Sequence, residues 1–371
     1  MPDKWQWHFA ENESAKPFAG DPADLSGAKQ VRDMNGERTV YYRNGFYFKL
    51  YHRRCHGLFD RLRERLSPAA KQEFGAIMCL RRHGLAVVEP VAFGVCGTSS
   101  MLITREEKNC CSVLEYLRDR ILRGRPIPES FLLNWSRFLA RFIRSGLYFP
   151  DFHCGNILYN DEQARFVLVD PFGLKHNTVN RTERIHRMLK REFGLVFEVV
   201  PKPLIVQMFA EIFPSDPEGA YRRVLEYSAE YVRKSSMRGD KRLRRFRAGA
   251  ATLVRDGIRI KYAGCEVPFP LEDTERIALP PEAANELWER DYVLSLYHLP
   301  LLRVAARDEK EPGILYRRKA GEGEVPSAEQ EYLFEHLKLT GFDRKEFECC
   351  FDLNGTALLR DRKFASLERI L

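Results

Sequence analysis

Apolar and polar positions change their period along the chain. Between Val31 and His52 the runs VRDM, RTVYYR and FYFKLYH are rich in β-branched and aromatic residues and are interrupted at Asn35-Gly36 and Asn44-Gly45. Asn-Gly suits a two-residue hairpin turn, where both central residues take positive φ. The pattern predicts three antiparallel strands joined by two tight turns. PAAKQEFGAIMCLRRHGL then places Ala70, Phe74, Ile77, Met78 and Leu80 near helical spacing, with Gly84 as the stop, which predicts a helix. VVEPVAFGV and SSMLITREE predict two more strands around a turn at Gly97. A five-stranded sheet with one inserted helix is expected.

Past residue 110 the period becomes helical. SVLEYLRDRIL and ESFLLNWSRFLARFIRSGL predict helices, the second with Phe131, Leu132, Trp135, Phe138, Leu139 and Phe142 along one face. Two short strand-like runs, NILYN and ARFVLVDPFG, interrupt the helices before TERIHRMLKREFG, PLIVQMFAEIF and EGAYRRVLEYSAEYVRK resume them. A β-rich first part and a helical second part predict an α+β chain with two lobes. The expected organisation is a lead-in over 1–24, a small β lobe over 25–108, a helical lobe over 109–264 and an extension of unassigned role over 265–371. In that extension VPFPLEDTERIALPPE, DEKEPG and EVPSAEQ break the pattern at prolines, and ARDEKEPGILYRRKAGEGEVPS reads as a linker that loops out.

Composition narrows the class. The 371 residues are 44% hydrophobic and 30% charged, which excludes wholesale disorder and a collagen-like fibre. The balance of 60 basic to 52 acidic residues, +8 net, suits work near phosphates, nucleic acid or an anionic membrane face. Nine cysteines, scattered and without CxxC or Cys/His ligand spacing, argue against a zinc site or disulfide framework. No apolar run follows a basic start, and none approaches the ~20 residues of a spanning helix. The expectation is a cytoplasmic protein with no transmembrane segment, able to touch a membrane from outside.

The candidate chemistry lies in GLYFPDFHCGNILYNDEQARFVLVDPFGL. Asp151 precedes Asn156 by five positions on a loop after a long apolar helix, and Asp170 ends the apolar run FVLV before the turn PFG. Phosphoryl transfer needs such parts: one carboxylate to accept the acceptor's hydroxyl proton, and an amide oxygen with a second carboxylate to hold Mg²⁺ against a triphosphate. Taken singly, Asp, Asn and His on a loop are turn residues bonded to local backbone. Their company changes the weighing. Lys49 sits mid-strand among aromatic residues, and the next helix offers Glu73, with Glu64 a competing partner. A strand lysine paired to a helix carboxylate is the arrangement kinases use on nucleotide phosphates.

With these residues, RTVYYRNGFYFKLYHR, EFGAIMCLRRHGLAVVEPVAFG, SSMLITREE and DFHCGNILY with VLVDPFG, the chain resembles the bacterial lipopolysaccharide core kinases of the protein-kinase-like superfamily, which phosphorylate heptose or Kdo sugars. The resemblance spans roughly residues 25–260. It implies a bilobal protein-kinase-like fold with ATP between the lobes, Lys49 on the α/β-phosphates, Glu73 orienting Lys49, Asp151 as catalytic base, and Asn156 and Asp170 on Mg²⁺. It places the adenine-binding hinge near Thr104 to Glu107, Glu106 included. Departures accompany it. Phe149 stands where a loop-steadying His is common, so packing must take over that task; Pro171 replaces the Phe of the metal-binding turn; and no GxGxxG precedes Lys49, which leaves Asn35-Gly36 as the phosphate-covering turn. His153 reads as loop support rather than a proton carrier.

The positive charge concentrates in HRRCHGLFDRLRER and in VRKSSMRGDKRLRRFRAG. Arginine clusters suit a lipopolysaccharide core acceptor, which bears phosphates and carboxylates and sits in an anionic leaflet; a solvated helix face fits them equally well. No nucleic-acid module accompanies the charge. The leading expectation is therefore an ATP- and Mg²⁺-dependent phosphotransferase acting on a core-sugar hydroxyl at the inner face of the inner membrane. Kinases of a protein side chain or a small hydroxylated metabolite, and a non-catalytic scaffold of kinase fold, remain as alternatives.

Overall fold

Asn44 and Gly45 take φ of 50° and 81°, the paired positive values of a tight hairpin turn, and they set the register of everything around them. The computed structural model describes residues 4–10, 23–34, 37–52, 66–123, 125–176, 181–236, 239–249, 252–261, 274–297, 299–351 and 357–363. The chain is α+β and divides into two compact units, one of Met1–Cys111, Arg141–Asp151 and Asn156–Val179, the other of Ser112–Ala140, Phe152–Gly155 and Asn180–Leu371.

The first unit is built on an antiparallel sheet of β1 (Gln6–Phe9), β2 (Lys29–Met34), β3 (Arg38–Arg43), β4 (Phe46–His52), β5 (Pro90–Cys96) and β6 (Ser99–Arg105), in spatial order β1-β5-β6-β4-β3-β2. Five of these strands follow the sequence pattern. The sixth, β1, comes from residues expected to be a lead-in. Its four-residue length carries little signal of its own, and its partner is β5, far along the chain. A close approach holds it there: Trp7 lies opposite Gly94, and a Cβ at Gly94 would stand 2.6 Å from the Trp7 ring. Only a glycine lets the indole lie across the neighbouring backbone.

Strand alternation gives the sheet two different faces. Phe46 and Phe48 of β4 point into a cluster with Val91, Ala92, Met101 and Ile103, and Trp5, Trp7 and Leu50 pack against it. Lys49 and Tyr51 point the other way, towards helix α1 (Ala69–Arg82). That helix buries Ala69, Ala70, Glu73, Ile77 and Leu80, an apolar stripe in which Glu73 takes a place suited to a hydrophobic residue. Its first turn donates the Ala70 N–H to the Ser100 hydroxyl of β6 at 3.2 Å.

The unit is completed by two small antiparallel pairs: Leu147–Tyr148 with Lys175–His176, and Ile157–Asn160 with Arg165–Leu168. The second pair is tied to the segment after α1. Leu168 bridges Val87 in parallel, with Val88 N–H to Leu168 O and Leu168 N–H to Ala86 O both at 3.0 Å.

The second unit contains helices Val113–Arg123, Arg181–Val199, Lys202–Ile212 and Pro217–Ser236, together with most of Glu129–Arg144. Its core is aromatic: Trp135 stacks on Phe193 with ring centres 6.0 Å apart, and Phe193 packs on Phe209 at 4.7 Å. Beyond the helices lies a five-stranded antiparallel sheet, Thr252–Arg255, Ile258–Lys261, Val304–Asp308, Ile314–Arg318 and Thr274–Ala278 in spatial order. Two strands before Cys265 thus share a sheet with three after it. The stretch expected to loop out as a linker forms a hairpin of two of these strands, with Val304 and Leu315 fully buried. Charged residues at its tip (DEKEPG) mask from sequence reading the apolar runs on either side. Helix Ser327–Thr340 packs on the helical core, where His336 meets Phe197 edge-on at 6.1 Å.

Candidate active site

The Asn44-Gly45 turn fixes pairing by counting: Arg43 lies opposite Phe46, Val40 opposite Lys49 and Arg38 opposite Tyr51. Arg38, Lys49 and Tyr51 therefore project from one face of the sheet. Glu73 meets two of them from α1. Lys49 Nζ donates to Glu73 Oε1 at 2.6 Å, and the Tyr51 hydroxyl donates to Glu73 Oε2. The Glu73 side chain is 0% exposed and that of Lys49 14%. A fully buried carboxylate is tolerated only when its charge and lone pairs are matched, and this one has a cation on one oxygen and a phenol on the other.

Asp170 joins the same cluster. Its carboxylate lies 3.3 Å from Lys49 Nζ and accepts from Arg38 Nη1 at 3.0 Å on both oxygens. Burial alone would push the Asp170 carboxyl up; Lys49 and Arg38 outweigh it and hold the group below its usual value. Burial likewise works against the Lys49 charge, but Glu73 and Asp170 raise its pKa all the same. Burial and the Glu73 carboxylate together push the Tyr51 phenol well above its ordinary range. All three side chains hold fixed charge states through neutral pH: an ionised Asp170, a charged Lys49 and a protonated Tyr51.

The backbone brings the remaining candidates alongside. In the hairpin of Ile157–Asn160 with Arg165–Leu168, Ile157 lies opposite Leu168, and one step further Val169 N–H donates to Asn156 O at 2.9 Å. Asn156 thus sits across from the residue before Asp170. Asp170 itself has φ 55°, a left-handed conformation that Asp tolerates better than most side chains. Asn156 is buried, and its amide nitrogen donates to the Asp151 carbonyl at 3.0 Å. That bond settles which end of the amide is left for a cation: the oxygen. An amide oxygen and an ionised carboxylate are hard donors that fit Mg²⁺, which ordinarily keeps waters and phosphate oxygens as its other ligands. Among the described residues no group of three or more His, Cys, Asp and Glu forms an all-protein metal cage.

Of the sequence-predicted residues, the structure gathers Lys49, Glu73 and Asp170 in direct contact, and Asp151 and Asn156 through one hydrogen bond. Thr104 is buried within β6, opposite Tyr47, two positions along β4 from Lys49. Glu106 accepts from the Tyr42 hydroxyl at 2.9 Å and gives its N–H to Gly45 O at 2.8 Å. Asn35, Gly36, Glu64 and the basic run Arg53–Arg65 lie outside the described residues. Phe149 is fully buried, and His153 Nδ1 accepts the Gly155 N–H at 3.0 Å, a loop-supporting bond. In the second basic run, Arg247 is spent on Glu289 by two bonds of 2.7 and 2.6 Å and Lys234 pairs with Glu230, while Arg244 and Arg245 are exposed; Arg238 is outside the described residues. Arg38 and Tyr51 were not singled out from sequence. The signal was there: counting back from Asn44-Gly45 puts Arg38 opposite Tyr51, and alternation puts Tyr51 on the face of Lys49.

No curated protein matches the chain in sequence. Among solved structures, it is similar to WaaP in complex with acyl carrier protein (17% identity, TM-score 0.47, covering 62% of this chain and 98% of that one). It is also similar to WbdD (16%, TM-score 0.37, covering 54% and 45%). A third is a choline/ethanolamine kinase family protein from Mesorhizobium loti (13%, TM-score 0.36, covering 63% and 89%). Residues 25–190, which hold every member of the cluster around Lys49, match the Lipopolysaccharide kinase (Kdo/WaaP) family, and that family implies a phosphotransferase acting on a sugar hydroxyl.

Proposed function

We propose that the protein transfers the γ-phosphoryl group of Mg-ATP to a heptose or Kdo hydroxyl of the lipopolysaccharide inner core. One observation carries the reading: within the family-matched segment, Lys49 is bonded to both Glu73 and Asp170, so one cation is positioned by a helix carboxylate and set beside a metal-binding one. In this reading Lys49 meets the α/β-phosphates and Glu73 keeps it aimed. Asp151 accepts the proton of the acceptor hydroxyl as its oxygen attacks phosphorus. Asn156 Oδ1 and Asp170 hold Mg²⁺, which when bound offsets charge building on the phosphoryl oxygens. The adenine edge is read by backbone near Thr104 and Glu106. Because the Glu106 N–H already serves Gly45 O, the groups left for adenine there are neighbouring carbonyls and N–H groups.

The acceptor would be met at the inner face of a membrane, where exposed Arg244 and Arg245 suit anionic headgroups and core phosphates. No helix among the described residues is long and apolar enough to cross a membrane.

The test uses purified full-length chain, γ-labelled ATP and core oligosaccharide freed of phosphate. Label in the sugar, located by mass spectrometry to one hydroxyl, is the expected result. Label appearing only in protein points to a side-chain kinase, and no binding of Mg-ATP at about millimolar concentration points to a scaffold; each overturns the proposal. Asp170→Asn is expected to raise the Mg²⁺ concentration for half-maximal transfer by about tenfold or more, because one hard anionic donor is lost. An unchanged Mg²⁺ titration removes Asp170 from the metal site.

A further inference from the structure

We infer that Arg38, which pairs with Asp170, is a nucleotide-phosphate ligand taking over the task of a glycine-rich loop; this rests on the kinase reading above. The pairing uses the guanidinium poorly. Among the described residues, Nη1 is shared between the two Asp170 oxygens at 3.0 Å, Nη2 reaches only the Met34 thioether at 3.0 Å, and Nε is buried with no hydrogen-bond partner. A guanidinium is a planar fork of five donors that matches phosphate in two bonds at once. Here Nη2 meets a weak sulfur acceptor at the surface, and the buried Nε meets none among the described residues, a costly state for a buried donor.

Charge points the same way. Lys49 and Arg38 balance Glu73 and Asp170, so the cluster is neutral as it stands. A divalent cation on Asp170 needs the oxygens that Arg38 now occupies, and it arrives with a polyanion. The displaced guanidinium then has phosphate oxygens to meet. Position allows it: Arg38 is the first residue of β3, directly after the β2–β3 turn, and it shares a sheet face with Lys49. A side chain at that place can serve the same phosphates as Lys49. The sequence has no GxGxxG before Lys49, and Arg38 supplies by charge what backbone N–H groups supply in glycine-rich loops.

The experiment measures equilibrium binding by calorimetry to the full chain, with Mg-AMP-PNP, Mg-tripolyphosphate and adenosine as probes. Arg38→Gln is expected to weaken Mg-AMP-PNP and Mg-tripolyphosphate by about tenfold to a hundredfold, the worth of one charge-assisted pair, with adenosine unchanged. Arg38→Lys, which keeps the charge and loses the fork, is expected to fall between. Equal or tighter Mg-AMP-PNP binding in Arg38→Gln overturns the inference and marks Arg38 as a plug on Asp170, leaving the kinase reading intact. Loss of adenosine binding in both variants marks Arg38 as structural and also overturns it. A wild-type chain that binds none of the three probes overturns the kinase reading itself, and this inference with it.

Discussion

Asp151→Ala is expected to lower the rate of phosphoryl transfer by about 10²- to 10⁴-fold while Mg-nucleotide binding stays close to wild type. General-base catalysis contributes on that scale, and the carbonyl by which Asp151 holds Asn156 is one that alanine retains. Its carbonyl accepts the Asn156 amide at 3.0 Å, and the mutation leaves this carbonyl in place, so Asn156 keeps its aim. The loop is further steadied by the Val169 N–H on Asn156 O and by Phe149, buried two residues before Asp151. Single-turnover transfer with pre-bound Mg-ATP reads the chemical step, and calorimetry with Mg-AMP-PNP reads binding. A variant that keeps its transfer rate removes Asp151 as the base.

Glu73→Ala is expected to cost about 3–5 kcal/mol of stability, the usual effect of taking one partner from a buried ion pair. The side chain is fully buried, and its loss strands two groups at once: the Lys49 ammonium, left to Asp170 alone, and the Tyr51 hydroxyl. Glu73→Gln separates charge from shape. Its amide oxygen still accepts from Tyr51, so it should retain most of the packing while Lys49 loses its aim. Tyr51→Phe removes one bond to the buried carboxylate and should cost about 2 kcal/mol. Urea unfolding of the three variants is expected to rank them Ala, Gln, Phe from worst to best. If Glu73→Ala unfolds at the wild-type midpoint, the pair does not hold α1 to the sheet.

Much of the first unit was legible because its signals are local. Asn44-Gly45, the alternation of FYFKLYH and the spacing of Ala70, Ile77 and Leu80 each act within a few residues, and they placed Lys49 and Glu73 on facing elements. Glu73 also carried an unread cue, since a carboxylate in step with an apolar stripe is a buried one. What escaped depends on distant partners. QWHF becomes a strand only because Gly94 leaves room for an indole, and Arg38 becomes part of the site only because Asp170 comes to it from 132 positions away. In the second unit the buried hairpin around Leu315 was hidden by its charged tip, and a sheet joining strands on both sides of Cys265 has no trace in composition.

Asp170 is carried on a segment pinned from two directions, by Leu168 against Ala86 and Val88 and by Val169 against Asn156. Pro171 follows it with a restrained φ and limits the conformations open to Asp170. Three backbone bonds thus fix the residues just before Asp170, whose carboxylate already lies on Lys49 and Arg38, so a small molecule directed at this face must compete with it for those two cations.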